Sequence, residues 1–169
     1  GLDFANVESR PSRGLVVEAL DSQNTVVAAS QTDASGNYSI NVPGHTTLKI
    51  RVKAEMQNNS AATWNVKVTD NTKSYSTYAM EGQLVDSGST DSVRNLHASY
   101  KLLYYHGTED RAAAPFNIID VVYGLFSRMA NEGAINNFPS LELRWSSKNR
   151  SVNGDETLGE IGGTAYHPD

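Results

Sequence analysis

TVVAASQTDASGNYSINV, residues 25–42, has the pattern of one strand, a tight polar turn and a second strand. Residues 26–31 and 38–42 both alternate with a period of two, and residues 33–36 separate them as a short polar turn. This pattern is typical of two half-buried antiparallel strands. The aspartate and serine of the turn can bond the local backbone, and Gly36 supplies a positive φ angle. The stretch therefore predicts a β-hairpin and, with it, a mainly β fold.

Further strands are predicted on both sides of the hairpin. Residues 46–56 give the clearest pattern, because apolar side chains alternate there with charged ones. Burying one large apolar side chain contributes about 1.5–3 kcal/mol, so these inward rows are expected to hold the sheet together. The predicted strands cover residues 14–21, 46–56, 64–68, 75–80 and 96–104.

The period changes from two to that of a helix after residue 108. An apolar stripe recurs at helical spacing through Phe116, Ile119, Tyr123, Phe126 and Met129, widened by Ile118, Val122 and Leu125. A stripe this broad predicts burial against a sheet. The helix start stays open between a cap at Thr108 and a first turn at Pro115, while Gly133 predicts the stop. Two strands, over residues 138–146 and 161–167, are predicted to follow.

Composition narrows the classes of function. The chain has 169 residues and a net charge of −5, which argues against a nucleic-acid surface, because phosphates require clustered Lys and Arg. No apolar run approaches the roughly 20 residues of a membrane span. Cysteine is absent, which excludes disulfides, thiol catalysis and thiolate metal sites.

No catalytic motif is present, so we expect the chain itself not to be an enzyme. Its histidines are His45, His97, His106 and His167, and no two of them lie four residues apart. The HExxH motif of zinc peptidases requires that spacing, because positions i and i+4 share one helix face. The Gly-x-Ser-x-Gly pattern of serine hydrolases and the glycine-rich phosphate loop are also missing.

Residues 14–42 resemble the carboxypeptidase regulatory-like domain. The resemblance is carried by the predicted strand at residues 14–21 and by the strand–turn–strand pattern of residues 25–42. The resemblance implies that residues 1–85 form an N-terminal, transthyretin-like β-sandwich. Domains of this family usually accompany another domain in the same chain. We therefore expect residues 1–85 to be an accessory domain.

Residues 111–120, RAAAPFNIID, form a second informative stretch, together with residues 138–146 and 159–166. They are similar to part of large secreted bacterial proteins in which an accessory sandwich precedes a zincin-type metallopeptidase domain. The resemblance implies that residues 86–169 are a smaller α+β segment at the start of such a domain. HExxH and its Zn²⁺ would lie downstream in the same polypeptide.

The resemblance also implies a location, a role and a site. The chain would be secreted or at a bacterial cell surface, as a non-catalytic accessory region that stabilises or orients the downstream domain. An edge strand of a zincin sheet aligns an extended peptide by backbone hydrogen bonds. The candidate residues for such a strand are Gly162, Gly163, Thr164, Ala165, Tyr166 and His167.

A stand-alone adhesion or carbohydrate-binding module, for example one that binds a cell-surface glycan, is the alternative. Five tyrosines could stack on sugar rings, although tyrosine at alternate strand positions is also common on ordinary sheets. A row of cations could likewise bind an acidic partner or be a solvated strand face. The tyrosines are Tyr75, Tyr78, Tyr100, Tyr104 and Tyr105, and the cations are Lys49, Arg51 and Lys53.

Two polar loops carry oxygen atoms that a Ca²⁺ ion could use. They are the turn at residues 33–38 and the acidic loop at residues 153–160, which contains Asp155 and Glu160. Neither has the further acids of an EF-hand, and turn chemistry accounts for both. We therefore expect no cofactor in this chain, with Ca²⁺ left open at these two loops.

Overall fold

The computed structural model describes residues 8–102, 109–134 and 136–166. Over these residues the protein is mainly β, with one long helix and an eight-stranded sheet. The helix α1 spans Ala114–Asn131, and a 3₁₀ helix spans Glu156–Leu158. The strands are β1 (Leu15–Leu20), β2 (Val26–Gln31), β3 (Thr47–Asn59), β4 (Thr63–Asp70), β5 (Ser76–Thr77), β6 (Ala79–Glu81), β7 (Val85–Asp86), β8 (Lys101–Leu102), β9 (Glu109–Asp110) and β10 (Leu141–Arg144).

Strand β3 is the centre of the sheet. The main order is β10-β4-β3-β1-β2, in which β10 pairs with β4 in parallel and the other neighbours are antiparallel. One edge of β3 pairs with β1, and its other edge is shared by β7, β6 and β4. Every second side chain of β3 from Leu48 to Met56 is buried, which confirms the alternation predicted from the sequence.

Strands β3 and β4 pair over only part of their length. Their ladder runs from Asn59↔Thr63 to Glu55↔Lys67. Beyond it, residues 76–81 lie between the two strands, because β5 pairs with β4 and β6 pairs with β3. We call residues 76–81 the wedge segment. At its centre, Tyr78 donates its amide N–H to the Val68 carbonyl (3.1 Å) and its carbonyl accepts from the Ala54 amide (2.7 Å).

The core lies on one face of the sheet, under helix α1. Apolar side chains of β1, β3 and β4 form one buried cluster with Phe116 and Ile119 of the helix. Helix α1 begins at Ala114 with Pro115 in its first turn, so the proline start is the correct alternative. Gly133 follows the helix with φ +68°, as the stop signal predicts. Thr108 lies outside the described residues.

The predicted hairpin is wrong in its second strand. Residues 33–36 form the predicted turn, in which the Gly36 N–H donates to the Asp33 carbonyl. Residues 38–42 keep their alternation of burial, yet they form no strand, and β2 pairs with β1 instead. The alternation arises because the side chains of Tyr38, Ile40 and Val42 pack against the core. Such packing does not require backbone hydrogen bonds to a neighbouring strand.

Other predicted strands are shorter than expected. Residues 75–80 and 138–146 contain only β5, part of β6, and β10, while residues 96–100 form no strand although Leu96 and Ala98 pack on the core. Residues 103–104 lie outside the described residues. The strand predicted over residues 161–167 is wrong for residues 161–166, which form no strand because no neighbouring strand pairs with them. His167 lies outside the described residues.

The sheet continues across the predicted boundary at residue 85. Strand β10 extends it beside β4, from Leu141↔Val66 to Arg144↔Thr69, and helix α1 shares the core of β1 and β3. The division into residues 1–85 and 86–169 stays a prediction, as does the transthyretin-like sandwich. What the structure establishes is one β-rich sheet to which both segments contribute.

Helix α1 packs closely against Gly14, just before β1. The φ of Gly14 is +67°, and an added Cβ would lie 2.9 Å from two ring carbons of Tyr123. We expect Gly14→Ala to lower the free energy of unfolding by about 2–4 kcal/mol. A left-handed backbone costs a non-glycine residue about 1–2 kcal/mol, and displacing a packed ring costs about 1–3 kcal/mol.

Gly133→Ala is the matched control for this prediction. Its φ is +68°, but no atom of the described residues beyond its own chain neighbours lies within 4 Å of the added Cβ, so we expect only the backbone cost of about 1–2 kcal/mol. Urea denaturation of the two variants separates the effects. Equal losses of stability would contradict the packing of Tyr123 against Gly14.

Candidate functional site

A cavity of about 190 Å³ lies between the turn after β4 and the residues after β10. We call it the Asp70 pocket. Its walls come from four separate parts of the chain: Asp70 and Lys73 of the turn, Tyr78 of the wedge segment, Arg111 before helix α1, and residues 145–148. It combines a buried carboxylate, cations, hydroxyl groups and an aromatic wall.

The parallel pairing of β4 and β10 places this pocket. Because parallel neighbours end at the same edge of a sheet, Asp70 at the end of β4 meets Trp145 and Ser146 after β10. The Trp145 amide donates to the Thr69 carbonyl at 2.9 Å, which extends the pairing by one residue. The Tyr78 and Trp145 rings then pack together with a centroid distance of 5.6 Å.

The turn that carries Asp70 and Lys73 has a strained backbone. Ser74 (φ +51°) and Tyr75 (φ +55°) are both left-handed, which costs non-glycine residues about 1–2 kcal/mol each. The Asp70 carbonyl offsets this cost by accepting the amides of Lys73 and Tyr75, both at 3.0 Å. Its carboxylate accepts the amide and the hydroxyl of Thr72, at 2.9 and 2.7 Å. Strain held by such a network is common at functional sites.

Asp70 is ionised although it is only 4% exposed. Burial by itself raises the pKa of Asp70, but hydrogen bonding, chiefly from the hydroxyl and amide of Thr72, outweighs it and holds that pKa below its ordinary value. The pKa of Tyr78 is raised, first by burial and then by its contact with the Asp70 carboxylate. At neutral pH the pocket therefore holds a charged Asp70 beside a neutral Tyr78.

Positive charge predominates around the pocket. Two lysines, Lys73 and Lys148, line the pocket beside a single carboxylate, so these three groups carry a net charge of +1. The whole chain carries −5. The pocket is thus a local positive site in an acidic protein, and its field attracts an anionic group.

Asn71 connects the turn to the loop at residues 146–160. It is fully buried, and its Nδ2 donates to the side-chain oxygen of Asn149 (2.9 Å) and to the Glu156 carbonyl. Its Oδ1 has no hydrogen-bond partner in the described part of the chain. Buried amide groups normally form hydrogen bonds, and the two bonds donated by Nδ2 hold the loop against the turn. They thereby fix the position of the pocket wall.

The two predicted calcium loops use their carboxylates internally. Asp33 accepts the amides of Ser35 and Asn37 at 2.8 and 2.9 Å, and these bonds lower its pKa. Asp155 accepts the amide and hydroxyl of Thr157 in the same way. These contacts favour turn chemistry over a metal role. Among residues 8–102, 109–134 and 136–166, no group of three or more His, Asp and Glu side chains could hold a metal ion.

The predicted tyrosine platform is divided between separate contacts. The Tyr75 ring lies under the Arg144 guanidinium at 4.7 Å, and its hydroxyl donates to Glu156 at 2.7 Å. Tyr78 instead faces Trp145 in the pocket. Tyr100 is half-buried, and Tyr104 and Tyr105 lie outside the described residues. Among the tyrosines that the structure describes, only Tyr78 lines the pocket.

The row of cations on β3 is already paired. Lys49 and Arg51 both contact Glu81, and Arg51 and Lys53 both contact Glu18. Carboxylates of the chain therefore neutralise this face of the sheet. The pairing favours the interpretation of a charged strand face over a site for an acidic partner.

The predicted peptide-aligning segment lies apart from any strand. Gly162, Gly163, Thr164, Ala165 and Tyr166 are exposed and form no ladder. Their role toward a peptide stays a prediction. Of the histidines, His45 and His97 are exposed, while His106 and His167 lie outside the described residues.

Helix α1 leaves part of its apolar surface uncovered. Val121 is 73% exposed and Leu125 is 54% exposed, one turn apart between Asn117 and Arg128. We call these four residues the outer face of α1. The predicted burial of the stripe is correct for Phe116 and Ile119 but wrong for Leu125. The sheet can cover only one side of the helix, so apolar residues at the margin of the stripe, such as Leu125, remain exposed.

Asp70, Lys73 and Lys148 were not predicted as site residues from the sequence. Residues 70–73 indicated only the end of a strand, and Lys148 lay in a polar loop. The polar run DNTK directly after an alternating strand was a local signal for a bonded turn. No local pattern joins that turn to residues 145–148.

No protein-family model matches the chain, and comparison with curated proteins and with solved structures found no match. Within the described ranges, no helix has the length and apolar character to cross a membrane. The proposals below are therefore supported by contacts, burial and charge in this chain, and by the resemblances given above.

Asp70→Asn tests the network under the pocket. The new amide can place a donor where the amide and hydroxyl of Thr72 already donate, so we expect the free energy of unfolding at pH 7 to fall by about 1–3 kcal/mol. The folded pKa of Asp70 lies below its unfolded value of about 3.9, so its stabilisation is complete above about pH 5. It is lost as the pH falls through the folded pKa.

Urea denaturation at pH 7 and at pH 3 measures this effect. The difference between the unaltered chain and Asp70→Asn should narrow at the lower pH. Asp91→Asn, at an exposed carboxylate, is the control and should match the unaltered chain within about 0.5 kcal/mol. A difference that stays constant with pH would show that the Asp70 charge contributes nothing.

Proposed function

We propose that the chain is a non-catalytic accessory region of a secreted bacterial protein that resembles a zinc metallopeptidase. It would stabilise or orient a downstream domain of the same polypeptide. The observation that carries this proposal is the outer face of α1, where Val121 and Leu125 are exposed side by side. Contiguous exposed apolar residues of this kind commonly mark contact sites between proteins or domains.

The inner side of α1 is well anchored, which suits a docking role. Arg13 binds Asp120 with both ends of its guanidinium fork, at 2.6 and 2.8 Å, and stacks over Tyr123 at 4.9 Å. Phe126 stacks on Phe138 with a centroid distance of 4.1 Å. A helix held in this way presents its outer face in one orientation. Little conformational entropy of the helix is therefore lost when a partner binds to that face.

The finer parts of this proposal come from the resemblance. They are a transthyretin-like sandwich over residues 1–85, an α+β segment over residues 86–169, and a downstream HExxH helix that holds Zn²⁺. The β-rich sheet supports the first of them in its coarse form. Secretion, a bacterial source and peptide alignment by residues 162–167 are proposed on the same basis.

A specific observation favours the alternative function, a carbohydrate-binding module. The Asp70 pocket offers the aromatic wall of Trp145 and Tyr78 beside hydroxyl groups and charges. Aromatic rings next to polar side chains suit ligands that are apolar on one side and wet on the other. Such a module would bind its ligand without any downstream domain.

Val121→Ser/Leu125→Ser is the variant that tests the accessory role. The downstream part of the native polypeptide, produced separately, should bind the 169-residue chain in a calorimetric titration. The double variant should bind at least about tenfold more weakly, since one buried Val or Leu contributes about 1.5–3 kcal/mol.

Val152→Ser/Leu158→Ser is the matched control, because it removes the same two kinds of side chain from exposed positions outside the outer face of α1. It should bind within about twofold of the unaltered chain. A downstream part that binds both variants equally well, or binds none of the chains, would contradict the proposal. A defined ligand on a glycan array, without such binding, would favour the alternative.

A further inference from the structure

Two lysines distinguish the Asp70 pocket from the rest of the surface. Lys49, Lys53 and Lys67 each contact a glutamate. Lys73 and Lys148 have no ion-pair partner in the described part of the chain, and both line this pocket. Two unpaired ammonium groups at one cavity are an expected arrangement for binding an anion, because each can donate a charge-assisted hydrogen bond.

The buried Asp70 does not cancel this attraction. Its carboxylate accepts hydrogen bonds from the amide and the hydroxyl of Thr72, so its charge is already partly met inside the protein. An incoming carboxylate would therefore meet a net positive environment.

The shape of the cavity limits the rest of the ligand. About 190 Å³ is smaller than the roughly 300–1,000 Å³ of pockets for drug-sized molecules, so it admits a group of about one ring. Trp145 and Tyr78 form an aromatic wall for the apolar face of such a ring. Ser147 lines the same cavity, and its hydroxyl can bond a polar substituent.

We propose that the Asp70 pocket binds an acidic sugar, with the ring against Trp145 and the carboxylate between Lys73 and Lys148. A neutral sugar would leave both ammonium groups without an anion, and a free carboxylate would leave the aromatic wall uncovered. The site does not involve the outer face of α1. Its failure would therefore leave the accessory role standing, and the reverse also holds.

The test is an NMR titration of the ¹⁵N-labelled, 169-residue chain with methyl β-glucuronide. Methyl β-glucoside is the same ring without the carboxylate, and sodium acetate supplies the carboxylate alone. We expect saturable shifts of the amides at residues 145–148 and of the Trp145 indole. The glucuronide should bind at least about tenfold more tightly than either comparison ligand.

Lys73→Met/Lys148→Met should weaken glucuronide binding at least about tenfold. Arg10→Met/Arg128→Met is the matched control, because it removes the same charge from exposed positions outside the pocket and should change binding less than about twofold. Thermal melts show that each variant is folded. Shifts that do not saturate, equal binding of acetate or the glucoside, or unchanged binding by the lysine variant would each overturn the proposal.

Discussion

Where β3 and β4 part, the backbone N–H and C=O groups that face each other need new hydrogen-bond partners. This requirement determines how the sheet and the Asp70 pocket are built. Buried N–H and C=O groups must be hydrogen-bonded, and beyond Glu55↔Lys67 the two strands no longer bond each other. The wedge segment supplies the missing partners through Tyr78, which bonds to both strands. The same insertion places the Tyr78 ring at the end of β4, where it becomes a wall of the Asp70 pocket.

Strands could be predicted from the sequence where side-chain burial and backbone pairing with a neighbouring strand occur in the same residues. Alternation in β1, β3 and β4 identified strands, and Pro115 and Gly133 identified the ends of α1. Residues 38–42 show the limit, since their alternation records side-chain burial against the core without a ladder. The pocket could not be predicted, because the separate segments that line it meet only through the parallel pairing of β10 with β4.

Charge in this protein is organised locally. On one face of β3 the cations contact glutamates of neighbouring strands, so that face is neutralised although it is densely charged. At the Asp70 pocket the cations outnumber the acids in a chain of net charge −5. The net charge therefore describes the solubility of the chain better than it describes any one site. Apolar surface is also divided on helix α1. Its inner side is buried against the sheet, whereas its outer face is exposed.

Native-state hydrogen exchange of the Tyr78 and Ala54 amides tests whether the wedge segment is bonded to both β3 and β4. If the wedge segment holds β3 and β4 apart, both amides open only with the core and should exchange as slowly as those of the β1–β3 ladder. The Val93 amide, in an 86% exposed residue, gives the fast reference. Exchange of Tyr78 and Ala54 at the rate of Val93 would contradict the wedge segment, and with it the wall of the Asp70 pocket.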